Sequence, residues 1–272
     1  MTGSKTDIAF TGSIPEAYEK HLVPLIFDFY ATDLARRLAA RNPKRVLEIA
    51  AGTGVVTRAL ASALPASTSI VATDLMQPML DQARAAGTTR PVEWRQADAM
   101  QLPFEAGTFD AVICQFGVMF FSDKAKAFSE IRRVLAQHGV FMFSVWDSLA
   151  ENDFADAVNK SLVTVFPQDP PGFLPNRPYG YFDLSTIAHD LAAGGFAATP
   201  QIETITIRTA ADSPWLAAVG FCQGTPLRNE IEARDASRLD EATEVAAQAI
   251  AQRFGAGRVE GRIQAHIFTV EA

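Results

Sequence analysis

Helical spacing dominates the start of the chain. Tyr18, Leu22, Leu25, Ile26, Phe29, Leu34 and Leu38 recur at intervals near three and four, which predicts one or two helices over 16–40. Pro24 marks a break or a first turn there, and Asn42-Pro43 stops the run. From residue 45 the pattern changes to a strand–helix rhythm. Short, largely apolar runs at 45–50, 69–73, 92–96, 109–115 and 140–146 read as strands. Stretches at 55–64, 77–86 and 122–136 read as helices, closed by Pro65, Gly87 and a turn at Gly139. This alternation predicts right-handed crossovers and a mostly parallel sheet covered by helices on both faces. The later chain differs. Residues 166–181 are rich in Pro, Gly and aromatics and read as an irregular lid or binding loop. Residues 184–193 read as a helix, 201–209 as a strand with one polar face, 213–254 as mostly helical, and 261–270 as a last strand.

Composition narrows the class. With 272 residues, 48 % of them hydrophobic and 20 % charged, the sequence suits one large domain with inserted caps. The net charge of −7 argues against a nucleic-acid-binding surface. Cys114 and Cys222 form no CxxC pair, and the histidines show no HxH or HExxH spacing, so a reduced, cytoplasmic, metal-free protein is expected. No secretory signal is read in the first ten residues, and the first dozen are expected to be loose. The longest apolar stretch, 111–121, is about half of what a bilayer needs, so no membrane span is expected. The Arg132-Arg133 pair reads as a solvated helix face.

The chemistry concentrates at the ends of the predicted strands. In Val46-Leu47-Glu48-Ile49-Ala50-Ala51-Gly52-Thr53-Gly54 an acid lies inside an apolar strand, and a GxG turn then opens a helix. The glycines let backbone approach a ligand, and the helix N-terminus offers free N–H groups. Asp74 closes the next strand and Asp98 follows the third. Adjacent parallel strands bring these carboxylates to one crevice. Asp74 lies about twenty residues past the glycines, the spacing that lets a carboxylate accept ribose hydroxyls. Asp98 suits an adenine amine, and Glu48 a ligand ammonium, directly or through water. Hydroxyls, amine and ammonium together describe an adenosyl amino acid better than a dinucleotide.

The runs VLEIAAGTG, VATDLMQPML, QADAMQLPF and FDAVICQFGVMFFSDKAKAFSEIRRVLAQHGVFMFSVWD resemble the successive motifs of class I S-adenosylmethionine-dependent methyltransferases. The nearest branch is similar to the ubiquinone/menaquinone C-methyltransferase-like (methyltransferase type 11) group. The resemblance runs from about residue 45 to 147. Tyr18-Glu19 resembles the family's N-terminal Tyr-acid pair, and 201–209 with 261–270 its closing antiparallel hairpin. His138-Gly139 stands where the family usually has Pro-Gly.

The resemblance implies an α/β, Rossmann-like sheet of seven mostly parallel strands with a C-terminal antiparallel hairpin and helical cap insertions. It implies a single methyltransferase domain over 1–272. N-terminal helices (1–42) lie over the site and 43–150 is the cofactor-binding core. Residues 151–183 and 211–255 are cap and acceptor segments, and 184–210 with 256–272 close the fold. The implied cofactor is S-adenosyl-L-methionine, with S-adenosyl-L-homocysteine as product. Ala50, Gly52 and Gly54 would wrap its methionine part, and Asp74 would hold the ribose. Leu75 and Met79 would pack by adenine, and Asp98 with the Ala99 backbone would read its edge. Gln115 and Phe116 would present carbonyls near the sulfonium and amino group, and Tyr18 would close over the site.

Methyl transfer to an activated sulfonium needs alignment and exclusion of water more than an obligatory catalyst, so no catalytic residue is assigned. Met119, Phe120, Trp146, Phe173 and Tyr179 are candidates for an apolar acceptor pocket, and His21 is a weak candidate base. The expected partner is a small organic acceptor methylated on O, N or C, the protein being a monomer or homodimer. Two competing readings stand beside this one. One is a cofactor-binding module without activity. The other is an NAD(P)-dependent oxidoreductase, disfavoured because Thr57 replaces the third glycine of GxGxxG.

Overall fold

The computed structural model describes residues 9–272. The expected loose start falls largely on residues 1–8, outside the described residues. The chain opens with α1 (Ile14–Ala17), a π-helical segment (Tyr18–Phe27) and α2 (Asp28–Ala39). There follow β1 (Arg45–Ile49), α3 (Val55–Ala63), β2 (Ser69–Asp74), α4 (Gln77–Ala86) and β3 (Glu93–Gln96). Next come β4 (Phe109–Gln115), α5 (Lys124–Val134), β5 (Leu135–Trp146), α6 (Asp153–Val165), α7 (Phe173–Asn176) and α8 (Leu184–Ala193). The last elements are β6 (Gln201–Ala211), α9 (Pro214–Gln223), α10 (Leu227–Asp235), α11 (Leu239–Phe254) and β7 (Val259–Glu271).

The seven strands form one sheet in the order β3-β2-β1-β4-β5-β7-β6. β1 runs parallel to β2 with Ile49 opposite Thr73, and parallel to β4 with Leu47 opposite Val112. β2 runs parallel to β3 with Asp74 opposite Gln96, so their carboxyl ends share one edge. The last two strands are antiparallel. Thr204 meets His266 at 2.8 Å and Thr206 donates to Gln264, one number rising as the other falls. This is the Rossmann-like architecture that the strand–helix rhythm and the closing hairpin predicted.

The chain divides into two compact units. One holds 28–145, 182–205 and 265–272, and so contains β1–β4, most of β5, and α2–α5 with α8. Its core is apolar because its strands are covered on both faces: Val46, Leu47, Ala111, Val112 and Ile113 are fully buried. Phe128, Phe141, Phe143 and Phe268 stack into it, with Phe143 and Phe268 only 4.7 Å apart. Each such ring contributes about 1.5–3 kcal/mol by burial. The other unit holds the described part of Met1–Phe27, 146–181 and 206–264. It contains the π-helical segment, α6, α7 and α9–α11. Phe154 packs edge-on against Phe254, and Arg253 pairs with Asp153 and Asp156 at 2.8 and 3.0 Å.

Three local expectations are revised. Pro24 does not break the first helix, which runs from Ile14 to Ala39. The missing N–H is absorbed by widening the turns over Tyr18–Phe27 to π geometry. The turn expected at Gly139 lies inside β5, which starts at Leu135. His138 takes φ of 62°, and the register with β4 shifts between Phe109 and Ala111, so an irregularity replaces the turn. The helix α6 had no counterpart in the pattern reading, although Phe154, Ala155, Val158, Leu162 and Val165 line its buried face.

Candidate functional site

The strand-end region is built on backbone that ordinary residues avoid. Ala50, at the end of β1, has φ of 55°, Gly52 56° and Gly54 84°. Left-handed backbone costs a non-glycine residue about 1–2 kcal/mol, so Ala50 is held there by its surroundings. Its amide neighbour Ala51 donates to the Thr73 carbonyl at 2.9 Å, tying the turn to β2. A Cβ on Gly54 would lie 3.1 Å from both Ala83 of α4 and the Trp94 ring. That close packing seats the N-terminus of α3 against its neighbours.

Asp74 is buried, 8 % exposed, and joins two loops. One carboxylate oxygen accepts from the Gly52 amide and the other from the Met76 amide, each at 2.8 Å. Burial raises its pKa, and the amides of Met76, Gly52 and Leu75 oppose that rise. A carboxylate has about four lone-pair sites, so these amides leave acceptor capacity. Next to it Leu75 is 52 % exposed, an apolar side chain left open at the strand edge, while Met79 behind it is buried.

Glu48 is 1 % exposed inside β1 and accepts from the Thr57 hydroxyl at 2.6 Å. Burial pushes its carboxyl up to about 8, helped by the field of Asp74 and opposed by Thr57 and Arg58. Asp98 accepts from the Met100 amide at 2.8 Å, an Asx turn that fixes the loop carrying the buried Ala99. The loop is fastened further on by Arg133, which donates to the carbonyls of Leu102 and Phe104 at 2.9 and 2.7 Å and pairs with Glu130. The reading of Arg133 as a merely solvated face is therefore corrected.

At the end of β4, Gln115 and Phe116 are buried. Phe116 has φ of 51°, donates its amide to the Ser144 carbonyl at 3.1 Å and meets the Tyr30 ring edge-on at 5.4 Å. Sequence reasoning passed over Gly117. A Cβ there would sit 2.5 Å from the Ala50 Cβ and 2.7 Å from the Cys114 sulfur. The close approach of the β1 and β4 ends thus requires glycine at 117; the dipeptide Phe116-Gly117 just past a strand was the signal. Thr57 and Tyr30 were missed as well, because a helix-facing hydroxyl and a buried tyrosine resemble ordinary core positions.

Glu48, Ala50, Gly52, Gly54, Asp74, Leu75, Met79, Asp98, Ala99, Gln115 and Phe116 all belong to one compact unit. Met119 and Phe120 lie in that same unit, in a short 3-10 turn after β4. Tyr18, His21, Trp146, Phe173 and Tyr179 belong to the other. There Tyr18 stacks on Phe27 at 5.1 Å, Phe27 meets Trp146 at 5.9 Å, and Trp146 meets Tyr179 at 5.9 Å. Phe173 is buried at the start of α7. His21 is half-buried, and burial with the neighbouring Lys20 holds its pKa below the usual histidine value.

Comparison with known proteins gives this geometry a context. Residues 47–143 match the family model of a methyltransferase domain. A demethylmenaquinone methyltransferase from Thermus thermophilus is 43 % identical over 111 residues, which cover 40 % of this chain and 49 % of that one. A malonyl-[acyl-carrier protein] O-methyltransferase from Geobacter sulfurreducens is 30 % identical over 174 residues, covering 64 % of this chain and 63 % of that one. The chain thus spans less than two thirds of the length of these relatives. The crystal structure of the YcgJ protein from Bacillus subtilis superposes with a TM-score of 0.57 at 21 % identity, covering 89 % of this chain and 98 % of that one.

Proposed function

We propose that this chain, with a methyltransferase domain over residues 47–143, transfers a methyl group from S-adenosylmethionine to a small organic molecule. The observation that carries the reading is the joint between Gly52 and Asp74. A left-handed glycine turn presents its amide to a strand-end carboxylate that keeps acceptor capacity for a further partner. The residues fit the cofactor. Asp74 would take ribose hydroxyls, Leu75 and Met79 an adenine face, and Asp98 with Ala99 the adenine edge. Ala50, Gly52 and Gly54 would border the amino-acid portion, with Glu48 near its ammonium and Gln115 and Phe116 beside the sulfur. When bound, the cofactor supplies a methyl already activated on a sulfonium. The protein's own part is to align the acceptor and keep water out, worth several kcal/mol in effective concentration.

Met119 and Phe120 after β4, in the same unit as the Gly52 turn, are the residues proposed to contact the acceptor. His21, neutral at physiological pH, is chemically able to accept a proton from an oxygen or nitrogen nucleophile. The relatives are named for different acceptors, a demethylmenaquinone and a malonylated carrier protein, so the class proposed here is only a small organic acceptor. Buried free thiols at Cys114 and Cys222 suit the reducing cytoplasm. Among the described residues no helix is long and apolar enough to cross a membrane.

Calorimetric titration tests the reading. Binding of S-adenosylhomocysteine with no binding of NAD(H) is expected, followed by methyl transfer to at least one member of a small-molecule acceptor panel. Tight NAD(H) binding without homocysteine-nucleoside binding would overturn it. Cofactor binding with no transfer to any acceptor would favour an inactive module.

A further inference from the structure

The function just proposed leaves open how a buried carboxyl at Glu48 tolerates a charged ligand. Glu48 receives hydrogen bonds from the hydroxyl and amide of Thr57, on the first turn of α3. The charged and titratable groups around it are Asp74 from β2, Arg58 from α3 and Cys114 from β4. Asp74 is buried as well, and it is already engaged by the amides of Gly52 and Met76. Arg58 turns its guanidinium to the Thr53 carbonyl at 2.8 Å. Two buried carboxyl groups, one within the field of the other, cannot both ionise cheaply unless a cation joins them. Asp74 has the more amide donors, so Glu48 is the one that keeps a proton. The carboxyl value near 8 that burial gives Glu48 agrees with this geometry.

We propose that Glu48 is protonated in the free protein and gives up that proton when the ammonium of the ligand's amino-acid end arrives, making Glu48 the residue that selects ligands carrying that cation. The inference rests on the reading that an adenosyl amino acid binds at the Gly52 turn. The step is a simple ionisation. The carboxyl O–H bond breaks, the electron pair stays on oxygen, and the proton leaves to solvent. The new carboxylate faces the ammonium and retains the Thr57 donors. A nucleoside without the ammonium offers no compensation and leaves the proton in place.

Two ligands separate these cases: S-adenosylhomocysteine, and 5′-methylthioadenosine, which has the same nucleoside but no ammonium. Each is titrated into the protein near neutral pH in phosphate and in Tris, buffers of different ionisation enthalpy. The expected result is release of close to one proton per site with S-adenosylhomocysteine and none with 5′-methylthioadenosine. Affinity for the former should rise by nearly tenfold per pH unit below Glu48's own pKa. Glu48→Gln should abolish the buffer dependence and shrink the preference for S-adenosylhomocysteine by about tenfold or more. A buffer-independent enthalpy for S-adenosylhomocysteine, or equal proton release with both ligands, would overturn the proposal. Both outcomes are read on the unaltered protein, so they do not depend on how the variant folds. Failure of S-adenosylhomocysteine to bind at any pH would instead remove the underlying reading, and this inference with it.

Discussion

Asp74 acts on two backbones before it meets any ligand. Its carboxylate holds the Gly52 and Met76 amides together, so replacing it removes the proposed ribose acceptor and frees two turns at once. Asp74→Ala is expected to weaken S-adenosylhomocysteine binding by about 1–3 kcal/mol, roughly fivefold to 150-fold, in calorimetry. Unchanged affinity would remove Asp74 from the ribose. Gly117 makes a comparable demand through shape alone. The Cβ introduced by Gly117→Ala meets Ala50 at 2.5 Å, so a loss of about 1–3 kcal/mol in thermal unfolding is expected, with weaker cofactor binding. A wild-type melting temperature would show that the two strand ends yield easily. Glu48 predicts a pH dependence of stability. Its folded pKa, near 8, lies above the ordinary 4.5. Its contribution is therefore complete below about 4.5 and is lost as pH rises through about 8. The stability difference between wild type and Glu48→Gln, read in denaturant melts, should accordingly move against the wild type over that window. Parallel profiles would mean that Glu48 stays ionised.

At the scale of elements, α10 is the organiser of its unit. Glu230 accepts from the amides of Gly172 and Phe173 at 2.7 and 3.1 Å, and so caps α7. Arg234 reaches the Asp169 carbonyl at 2.6 Å, while Asn229 donates to Ala9 and Arg228 to Ser13. One nine-residue helix thus fastens both the Pro/Gly-rich loop and the N-terminal segment. Glu230→Ala is expected to raise hydrogen exchange at the 172–177 amides by about tenfold or more, with exchange in β1 and β4 unmoved. Glu230→Gln, which keeps an acceptor oxygen, should restore most of the protection. Equal exchange in all three proteins would mean that packing alone holds the loop. The elements also show what a pattern can carry. The runs that became β1, β2 and β4 were legible because burial on both faces demands unbroken apolar stretches. The segment Asp153–Val165 was not, since Asp153, Asp156 and Lys160 interrupt it, and their ion pairs to Arg253 and within the helix exist only after folding. The π widening at Pro24 was equally hidden, because a missing donor can end a helix or merely re-space it.

At the scale of the molecule, net charge opposes attraction to a phosphate backbone. With a net charge of −7, duplex DNA at physiological salt is expected to bind no more tightly than the weak non-specific range, about 10⁻⁴ M or worse, by fluorescence anisotropy. Tight binding with a steep salt dependence would contradict this. The glycine turn and the three strand-end acids could be read from sequence because each sits at a fixed offset from a strand. Thr57 and Arg133 could not, because their roles come from contacts with residues remote in sequence or on another element. The segments expected to form caps were the less legible half. Residues 151–183 and 211–255 lie outside the matched methyltransferase domain, and their loops follow no simple period.

The order in which the strands are joined has a consequence for biosynthesis. β7 lies between β5 and β6, yet β6 leaves the ribosome about fifty residues earlier. For several seconds of translation β6 has no neighbour to zip onto, and the flank of β5 is bare. A nascent polypeptide in that interval presents the sort of open ledge that invites promiscuous pairing or chaperone capture.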